Sequence, residues 1–326
     1  MIDKKLDNRL VVSFSPHIES HNSISAMMLI FIVALLPSVL MGVYYFGYNV
    51  LMILGLSVAS SMAAEAFVNK ISHRPSTLGD FSAILNGLLL GLLMPPTMPW
   101  WAMVVGSSLS IIVGKSVFGG YGNYPLNPAL IGWMIIRLAW PDLMNGFIEP
   151  APLFSGGDMS QALPPLMAVK GDPSEIGSYD MWRLMVGNVP GQIGTISALS
   201  AIIGGLILLY RGVIRWHIPV GVLLGSFAFA WIFNTINPDT YFPGSFHLMT
   251  GTLLLGAFFL APEPVSSPVT PGGMLVYGLL IGVLTVIIRI WGSDTDGVIQ
   301  AILIMNIGTP LFDRIRPRSW GVNTGA

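Results

Sequence analysis

The chain lacks cysteine altogether and carries little charge. Without cysteine, none of its 326 residues can form a disulfide, a thiolate-ligated zinc site or a cysteine-ligated iron–sulfur cluster. Charged residues make up 10% of the sequence, whereas soluble domains carry about 25%. The five histidines are scattered without metal-ligand spacing, and no basic patch favours nucleic-acid binding. The composition therefore excludes cysteine-based metal and cluster sites in this chain, and it gives no support to nucleic-acid binding.

Long apolar stretches are what the chain has instead. Hydrophobic residues make up 53% of the sequence, and the mean hydropathy is +0.72. A helix needs about 20 apolar residues to cross a hydrocarbon core of about 30 Å. We predict an all-α integral membrane protein with about ten transmembrane helices. The predicted spans lie near residues 24–46, 49–68, 82–95, 99–117, 126–140, 193–210, 218–234, 246–261, 274–291 and 298–312.

Basic residues are distributed unequally between the two sides of this arrangement. If the N-terminus is cytoplasmic, 11 of the 15 lysines and arginines fall on the cytoplasmic side. The other four are Arg137, Lys170, Arg183 and Arg289. Because positive charge is retained in the cytoplasm, we predict that both termini are cytoplasmic.

A loop over residues 141–192 divides the chain. It is about fifty residues long, it falls on the non-cytoplasmic side, and loops of that length are usually functional or disordered. We therefore predict three parts. Residues 1–140 hold an N-terminal cytoplasmic segment and the first five-helix half, residues 141–192 form the outer loop, and residues 193–326 hold the second half and a cytoplasmic tail.

The two halves share a sequence pattern. Gly79-Asp80-Phe81, followed by Leu88–Gly91, recurs 165 residues later as Gly244-Ser245-Phe246 followed by Leu253–Gly256. A duplicated unit with an odd number of spans inserts with opposite topology, so the pattern predicts a five-plus-five inverted repeat with its functional site between the halves. Chance recurrence of leucine and glycine is the alternative.

Two acidic residues are candidates for an ion path. Glu65 is the only acidic residue well inside a predicted span, and a carboxylate in hydrocarbon needs a partner, water or an ion. The alternative for Glu65 is a side chain that reaches the cytoplasmic surface beside Lys70. Asp80, at the start of the third span, is either part of the same path or a helix-capping carboxylate.

Two irregular loops on the cytoplasmic side are candidates for a ligand site. The first runs from Phe118 to Leu130 and combines glycines with Asn123, Tyr124 and Asn127. Glycine lets backbone approach a ligand, and asparagine offers donors and acceptors to a heterocycle. The alternative is a turn with an asparagine cap before a helix that starts with proline. The second loop, Glu263–Pro271, contains three prolines and is either part of a site or a plain connector.

Four motifs in one order carry a family resemblance. They are Ser15-Pro16-His17-Ile18, the loop through Asn127-Pro128-Ala129-Leu130, the run Glu263–Pro271, and the Ile302–Asp313 segment with Thr309-Pro310-Leu311. Together they resemble the D subunits of Rnf electron-transport complexes, which are similar to the B subunits of sodium-translocating NADH:quinone reductases. The resemblance covers essentially the whole chain.

The resemblance implies a subunit of an ion-translocating oxidoreductase in a bacterial or archaeal cytoplasmic membrane. Such complexes couple electron transfer between ferredoxin and NAD to Na⁺ or H⁺ translocation, and their other membrane and peripheral subunits carry iron–sulfur clusters and flavins. It also implies a non-covalent flavin, FMN or riboflavin, near Asn123, Tyr124 and Asn127. Glu65 matches an intramembrane glutamate that the family relates to the cation path. No complete active site is expected in this chain alone.

The sequence departs from the family in the outer loop. Relatives carry FMN on the threonine of a Ser-Gly-Ala-Thr motif, and the aligned residues here are Ser155, Gly156, Gly157 and Asp158. A carboxylate cannot form the same stable phosphate ester, so we predict that this loop carries no threonine-linked flavin. Ser160 and Thr195 are the alternative hydroxyl acceptors.

Two other functions remain open from the sequence. One is a non-redox solute channel or carrier with inverted repeats, which bound flavin absorbance would distinguish. The other is a structural subunit whose ancestral flavin sites have been lost.

Overall fold

The computed structural model describes residues 23–152, 160–172, 179–238 and 240–315. Within these ranges the chain is helical, and its β-structure is limited to one isolated bridge between Ile148 and Gln161. The helices are α1 Ile24–Phe46, α2 Asn49–Ile71, α3 Ser82–Leu92, α4 Trp100–Ile111, α5 Pro128–Ala139, α6 Pro165–Gly171, α7 Met181–Val186, α8 Ala198–Tyr210, α9 His217–Ile236, α10 Gly244–Met249, α11 Leu253–Leu255, α12 Pro271–Trp291, α13 Val298–Ile307 and α14 Thr309–Phe312. Two π turns, Ile112–Ser116 and Gly256–Leu260, extend α4 and α11.

Four helices are long and apolar enough to cross a membrane: α1, α2, α9 and α12. Their bounds agree closely with four of the predicted spans, because an uninterrupted apolar run of this length leaves little room for another assignment. An all-α membrane protein is therefore confirmed. The other six predicted spans contain shorter or broken helices, so the count of ten crossings and the inverted repeat stay predictions.

The eighth predicted span is interrupted, which its apolar sequence did not indicate. Helix α10 ends at Met249, and the chain resumes helical structure only at Leu253. Gly251 has φ +68° at the break, a left-handed conformation that favours glycine. The guanidinium of Arg289 on α12 donates to the carbonyl oxygens of His247 (2.6 Å) and Thr250 (3.0 Å). Irregular backbone at membrane depth is stable only where such partners are supplied inside the protein.

Three sets of helix contacts organise the packing. Helix α2 packs against α3 and α4, α9 packs against α10 and α12, and α1 packs against α8. The α9–α12 contact is made through small residues. A Cβ at Gly221 would lie 2.9 Å from the backbone oxygen of Leu275, and one at Gly278 would lie 2.6 Å from that of Ile218. Close approach through glycine is typical of membrane helices, where packing replaces the hydrophobic effect.

The outer faces of the long helices are apolar and exposed. Leu40, Phe67, Leu224 and Ile232 are among these side chains. Exposed tyrosines and tryptophans stand at helix ends, as expected for side chains at a membrane–water interface. They include Tyr48, Tyr210, Trp216 and Trp291. The surface is that of a multi-pass membrane protein whose helices face lipid.

Candidate functional site

A recess of about 430 Å³, here called the Asn127 recess, opens where α1, α3, the loop before α5 and the turn after α11 meet. One wall is apolar and contains Met28, Phe31, Leu85, Leu89 and Phe259. The polar lining residues, here called the polar wall, are Ser82, Asn86, Lys115, Tyr124, Asn127 and Glu263. Both π turns border it, since one carries Lys115 and the other Phe259. Such turns occur frequently at functional sites.

Asn127 both caps α5 and lines the recess. Its side-chain oxygen accepts from the backbone N–H of Ala129 at 3.0 Å, and Pro128 occupies the first helical position. This confirms the predicted asparagine cap. The side-chain nitrogen of Asn127 lies 3.4 Å from the carbonyl oxygen of Leu260, which is a long hydrogen bond. One N–H group of this buried amide is therefore left for a ligand, although contact with a flavin stays a prediction.

Tyr124 joins the glycine-rich loop to the proline-rich loop. Its hydroxyl donates to Oε1 of Glu263 at 2.7 Å, and Oε2 of Glu263 accepts from the backbone N–H and hydroxyl of Ser266. Burial raises the pKa of the Glu263 carboxyl, and the three hydrogen bonds oppose that rise. Burial, and secondly the nearby Glu263, raises the pKa of Tyr124 well above its ordinary value. Asn123, by contrast, is exposed and does not line the recess.

Glu65 is buried and faces the protein interior. Its side chain is 3% exposed, and its Oε1 lies 2.6 Å from the ammonium nitrogen of Lys115. The hydroxyl of Thr77 donates to the same oxygen. Lys70, which the alternative interpretation placed beside Glu65, is exposed near the end of α2. A side chain that reached the cytoplasmic surface would be exposed, whereas Glu65 is buried in this ion pair.

Lys115 links Glu65 to Asp80. Its ammonium donates to the hydroxyl of Ser82 at 2.6 Å, and that hydroxyl donates to Oδ1 of Asp80 at 2.5 Å. Asp80 also accepts from the backbone N–H of Ser82, the first residue of α3, although the N-cap position itself is Phe81. Lys115 was not among the site residues predicted from the sequence. The sequence did contain a signal for it. Lys115 lies inside a predicted span, and the intramembrane Glu65 needed a partner of opposite charge.

Two unpartnered oxygens lie on the same face of α2. Oε2 of Glu65 and the hydroxyl of Ser61 are both buried without a hydrogen-bond partner in the part of the chain that the structure describes. Residues four apart are neighbours on a helix surface. A buried acceptor without a partner costs free energy. A cation or a hydrogen-bond donor that bound at this face of α2 would remove that cost.

A second recess of about 720 Å³, here called the Arg137 recess, lies at the other end of α5. Arg137 lines it and donates to side-chain oxygens of Asn145 (3.2 Å) and Asp294 (3.4 Å). The indole N–H of Trp133 and the side-chain oxygen of Gln192 also line it, and both atoms are buried without a partner among the described residues. The recess therefore offers one donor and one acceptor to a polar ligand.

The predicted outer-loop residues are only partly described. Ser155, Gly156 and Asp158 lie outside the described residues. Ser160 is exposed, and its hydroxyl donates to Oε2 of Glu149 at 3.1 Å. Thr195 lines the Arg137 recess. Across the described ranges, no group of three or more histidine, aspartate or glutamate side chains is arranged to hold a metal ion.

The chain is similar over nearly its full length to known membrane redox proteins. A family model described as "NQR2, RnfD, RnfE family" matches residues 11–321. The chain is 38% identical to the D subunit of the Na⁺-translocating ferredoxin:NAD⁺ oxidoreductase complex of Acetobacterium woodii, over 96% of each chain. It is 34% identical to the D subunit of the ion-translocating oxidoreductase complex of Yersinia enterocolitica, over 96% of this chain and 99% of the relative. The identity to the corresponding protein of Stutzerimonas stutzeri is 36%, over 93% of each chain. The range that the family model matches includes every residue of both recesses.

Proposed function

The chain belongs to the NQR2, RnfD, RnfE family, and from that premise we propose that it is a flavin-associated membrane subunit of an Rnf-type complex. The complex couples electron transfer between ferredoxin and NAD to Na⁺ or H⁺ transport across the cytoplasmic membrane. The names of its relatives support this assignment. One structural observation carries it: the Asn127 recess lies directly beside the buried Glu65–Lys115 pair. Other subunits supply the iron–sulfur clusters, since this chain has no cysteine.

The residues of the Asn127 recess fit a flavin ring system. Its lining combines apolar side chains with a few polar groups, which is the pattern of small-molecule sites. Its apolar wall suits the dimethylbenzene edge. On the polar wall, Asn127 has one N–H without a close partner, and the Lys115 ammonium has three donors of which two are engaged. A flavin bound here supplies the redox chemistry, while this chain orients the ring, buries it and sets its electrostatic surroundings.

Replacing Asn127 tests the flavin assignment. In Asn127→Asp the side chain still caps α5, since aspartate caps as well as asparagine, but the N–H donor is lost. Loss of one hydrogen bond to a buried ring costs about 1–3 kcal/mol, so we expect most of the non-covalent flavin to be absent from the purified complex. The measurement is the flavin released on denaturation per copy of this subunit. Asn123→Asp, at an exposed position outside the recess, is the control. Equal flavin content in both variants would mean that the flavin binds elsewhere.

An ion route beside α2 is the second part of the proposal. The support is the pair of unpartnered oxygens on Glu65 and Ser61, which can replace water around a cation in the membrane interior. Na⁺ and H⁺ both fit a carboxylate and a hydroxyl. The route would therefore start at Glu65, within the network that reaches Asp80.

The membrane orientation and the inverted repeat belong to the same proposal. A shift of 165 residues brings α2 onto α9 and places α4 over residues 265–276, which overlap the start of α12. The α2–α4 contact then corresponds to the α9–α12 contact. On the proposed outer side, Arg137, Lys170 and Arg289 are all engaged in internal hydrogen bonds, which reduces their cost there. Residues 1–140 and 193–326 would form the halves, with residues 141–192 outside the cytoplasm.

Single cysteines test the orientation, because the natural chain has none. We expect Ser160→Cys to react with a membrane-impermeant maleimide added to cells or spheroplasts. Lys70→Cys is also exposed, but it should react only after the membrane is opened. The reverse order of labelling would contradict a cytoplasmic N-terminus.

This chain should differ from its relatives in whether a flavin is covalently attached to the outer loop. Two unit charges about 4 Å apart repel by about 1 kcal/mol in water and by more in a lower dielectric, so Asp158 disfavours a phosphate beside it. We expect no flavin fluorescence on this subunit after denaturing electrophoresis. A flavin held in the Arg137 recess would be released, since Trp133 and Gln192 offer hydrogen bonds and no covalent link. A peptide containing residues 155–160 with the added mass of one FMN would contradict the prediction.

A further inference from the structure

We propose that Lys115 is a mobile counter-ion that couples charge in the Asn127 recess to cation binding at Glu65. With the recess uncharged, the ammonium neutralises Glu65. When negative charge enters the recess, the ammonium turns towards it, and Glu65 becomes free to take a Na⁺ or a proton. This inference rests on the proposed function, because it needs a redox group in the recess.

The position of Lys115 between two environments is the first support. The residue is 3% exposed, it lines the wall of the Asn127 recess, and its ammonium is 2.6 Å from both Glu65 and Ser82. Two of its three donors are therefore used, and the third remains for the recess. A lysine ammonium is a compact charge on a flexible four-carbon stem, so a rotation of that stem can exchange one partner for another.

Competition for Glu65 is the second support. The ammonium occupies Oε1 of Glu65, which also accepts from Thr77, while Oε2 is buried and unpartnered among the described residues. A second cation at this carboxylate would lie within a few ångströms of the ammonium, and like charges repel strongly where the dielectric is low. A cation therefore binds Glu65 well only when Lys115 has moved away.

The remaining carboxylates near Lys115 are those of Asp80 and Glu263. Asp80 holds the Ser82 hydroxyl that accepts from Lys115 in the present position. Glu263 also lines the recess, and its oxygens are engaged by Tyr124 and Ser266. One electron that reaches the recess from another carrier of the complex adds one negative charge there. The lysine keeps its protons, and the cation taken up by Glu65 restores neutrality: Na⁺ is coordinated without a covalent change, whereas a proton taken from water forms one O–H bond on the carboxylate.

The test measures the reduction potential of the recess flavin in the purified complex, by spectroelectrochemical titration. The recess flavin is identified as the signal lost in Asn127→Asp. In the natural protein we expect its potential to rise when the coupling cation is added, because a cation at Glu65 releases Lys115, and linkage of this kind is reciprocal. Sodium added at fixed pH and a pH series without sodium distinguish the two cations.

Lys115→Met should lower this potential. It should also reduce the redox-linked change in cation affinity at least tenfold, which corresponds to a cation-induced rise in potential that is smaller by about 59 mV for one electron. Lys115→Arg keeps the charge and should retain the response. Lys70→Met removes an exposed lysine on the same side of the protein and is the matched control. A potential and a cation response in Lys115→Met that equal those of Lys70→Met would overturn the proposal and leave the flavin assignment intact. Retention of every flavin signal in Asn127→Asp would overturn the proposed function itself, and this inference with it.

A second comparison serves if Lys115→Met does not assemble. Glu65→Gln releases the ammonium permanently, so its potential should equal the cation-saturated value of the natural protein. Adding Lys115→Met to it should lower the potential below that of the natural protein without cation. A purely structural ion pair predicts instead that the double variant, which removes both charges, has the potential of the natural protein.

Discussion

Glu65→Gln is expected to abolish cation-coupled turnover while the subunit still assembles in the membrane. Glutamine keeps the shape of the side chain, but it removes the charge that attracts Lys115 and that a dehydrated cation requires. Hydrogen bonds to charged groups contribute about 1.5–3 kcal/mol, which corresponds to about 10- to 150-fold in cation affinity. The measurement is the cation dependence of electron transfer in proteoliposomes, with ion uptake followed in parallel.

Glu149→Gln is the matched control for this variant. Glu149 is an exposed carboxylate that accepts from Ser160 and lies far along the chain from the Asn127 recess. It should behave like the natural protein. Normal cation dependence in Glu65→Gln would show that the carboxylate of Glu65 serves only to neutralise Lys115.

Arg289→Leu is expected to lower the free energy of unfolding by about 3–5 kcal/mol, the cost of breaking a buried ion pair from one side. The guanidinium of Arg289 is 1% exposed. It donates to the backbone oxygens of His247 (2.6 Å), Thr250 (3.0 Å) and Asp296 (2.9 Å), and it pairs with the Asp296 carboxylate at 2.9 Å. Leucine fills the space but leaves these acceptors without donors at the break between α10 and α11. Unfolding in a denaturing detergent, followed by circular dichroism, measures the effect.

Arg211→Leu removes an exposed arginine after α8 and should change the stability little. Arg289→Lys should lose an intermediate amount of unfolding free energy. One ammonium keeps the charge, but it cannot reach all the acceptors that the planar guanidinium contacts. A loss in Arg289→Leu as small as in Arg211→Leu would mean that water or another subunit satisfies the break.

The fold was most predictable where a single physical requirement dominates. Helices α1, α2, α9 and α12 followed from apolar length alone. The break after Met249 did not, because the arginine that stabilises it lies about 40 residues later on another helix. A pattern within one segment carries no information about a partner of that kind, and Gly251 was the only local signal.

The candidate site was predictable residue by residue but not as an arrangement. Loop composition indicated Tyr124 and Asn127, and the scarcity of intramembrane charge indicated Glu65. How these residues are arranged in space depends on two contacts between distant parts of the sequence. Lys115 binds Glu65, which lies 50 residues away, and Glu263 binds Tyr124, which lies 139 residues away. Asn123 has the same chemistry as Asn127, yet it faces outward, since only Asn127 begins a helix.

A flavin in the Asn127 recess can be observed directly. A map of the purified complex at a resolution that shows cofactors reveals what the recess holds. We expect a planar tricyclic density between Phe259 and the Lys115–Asn127 wall, in contact with the Asn127 amide. A recess filled only by side chains, lipid or water, with every flavin of the complex bound to other subunits, would contradict the account.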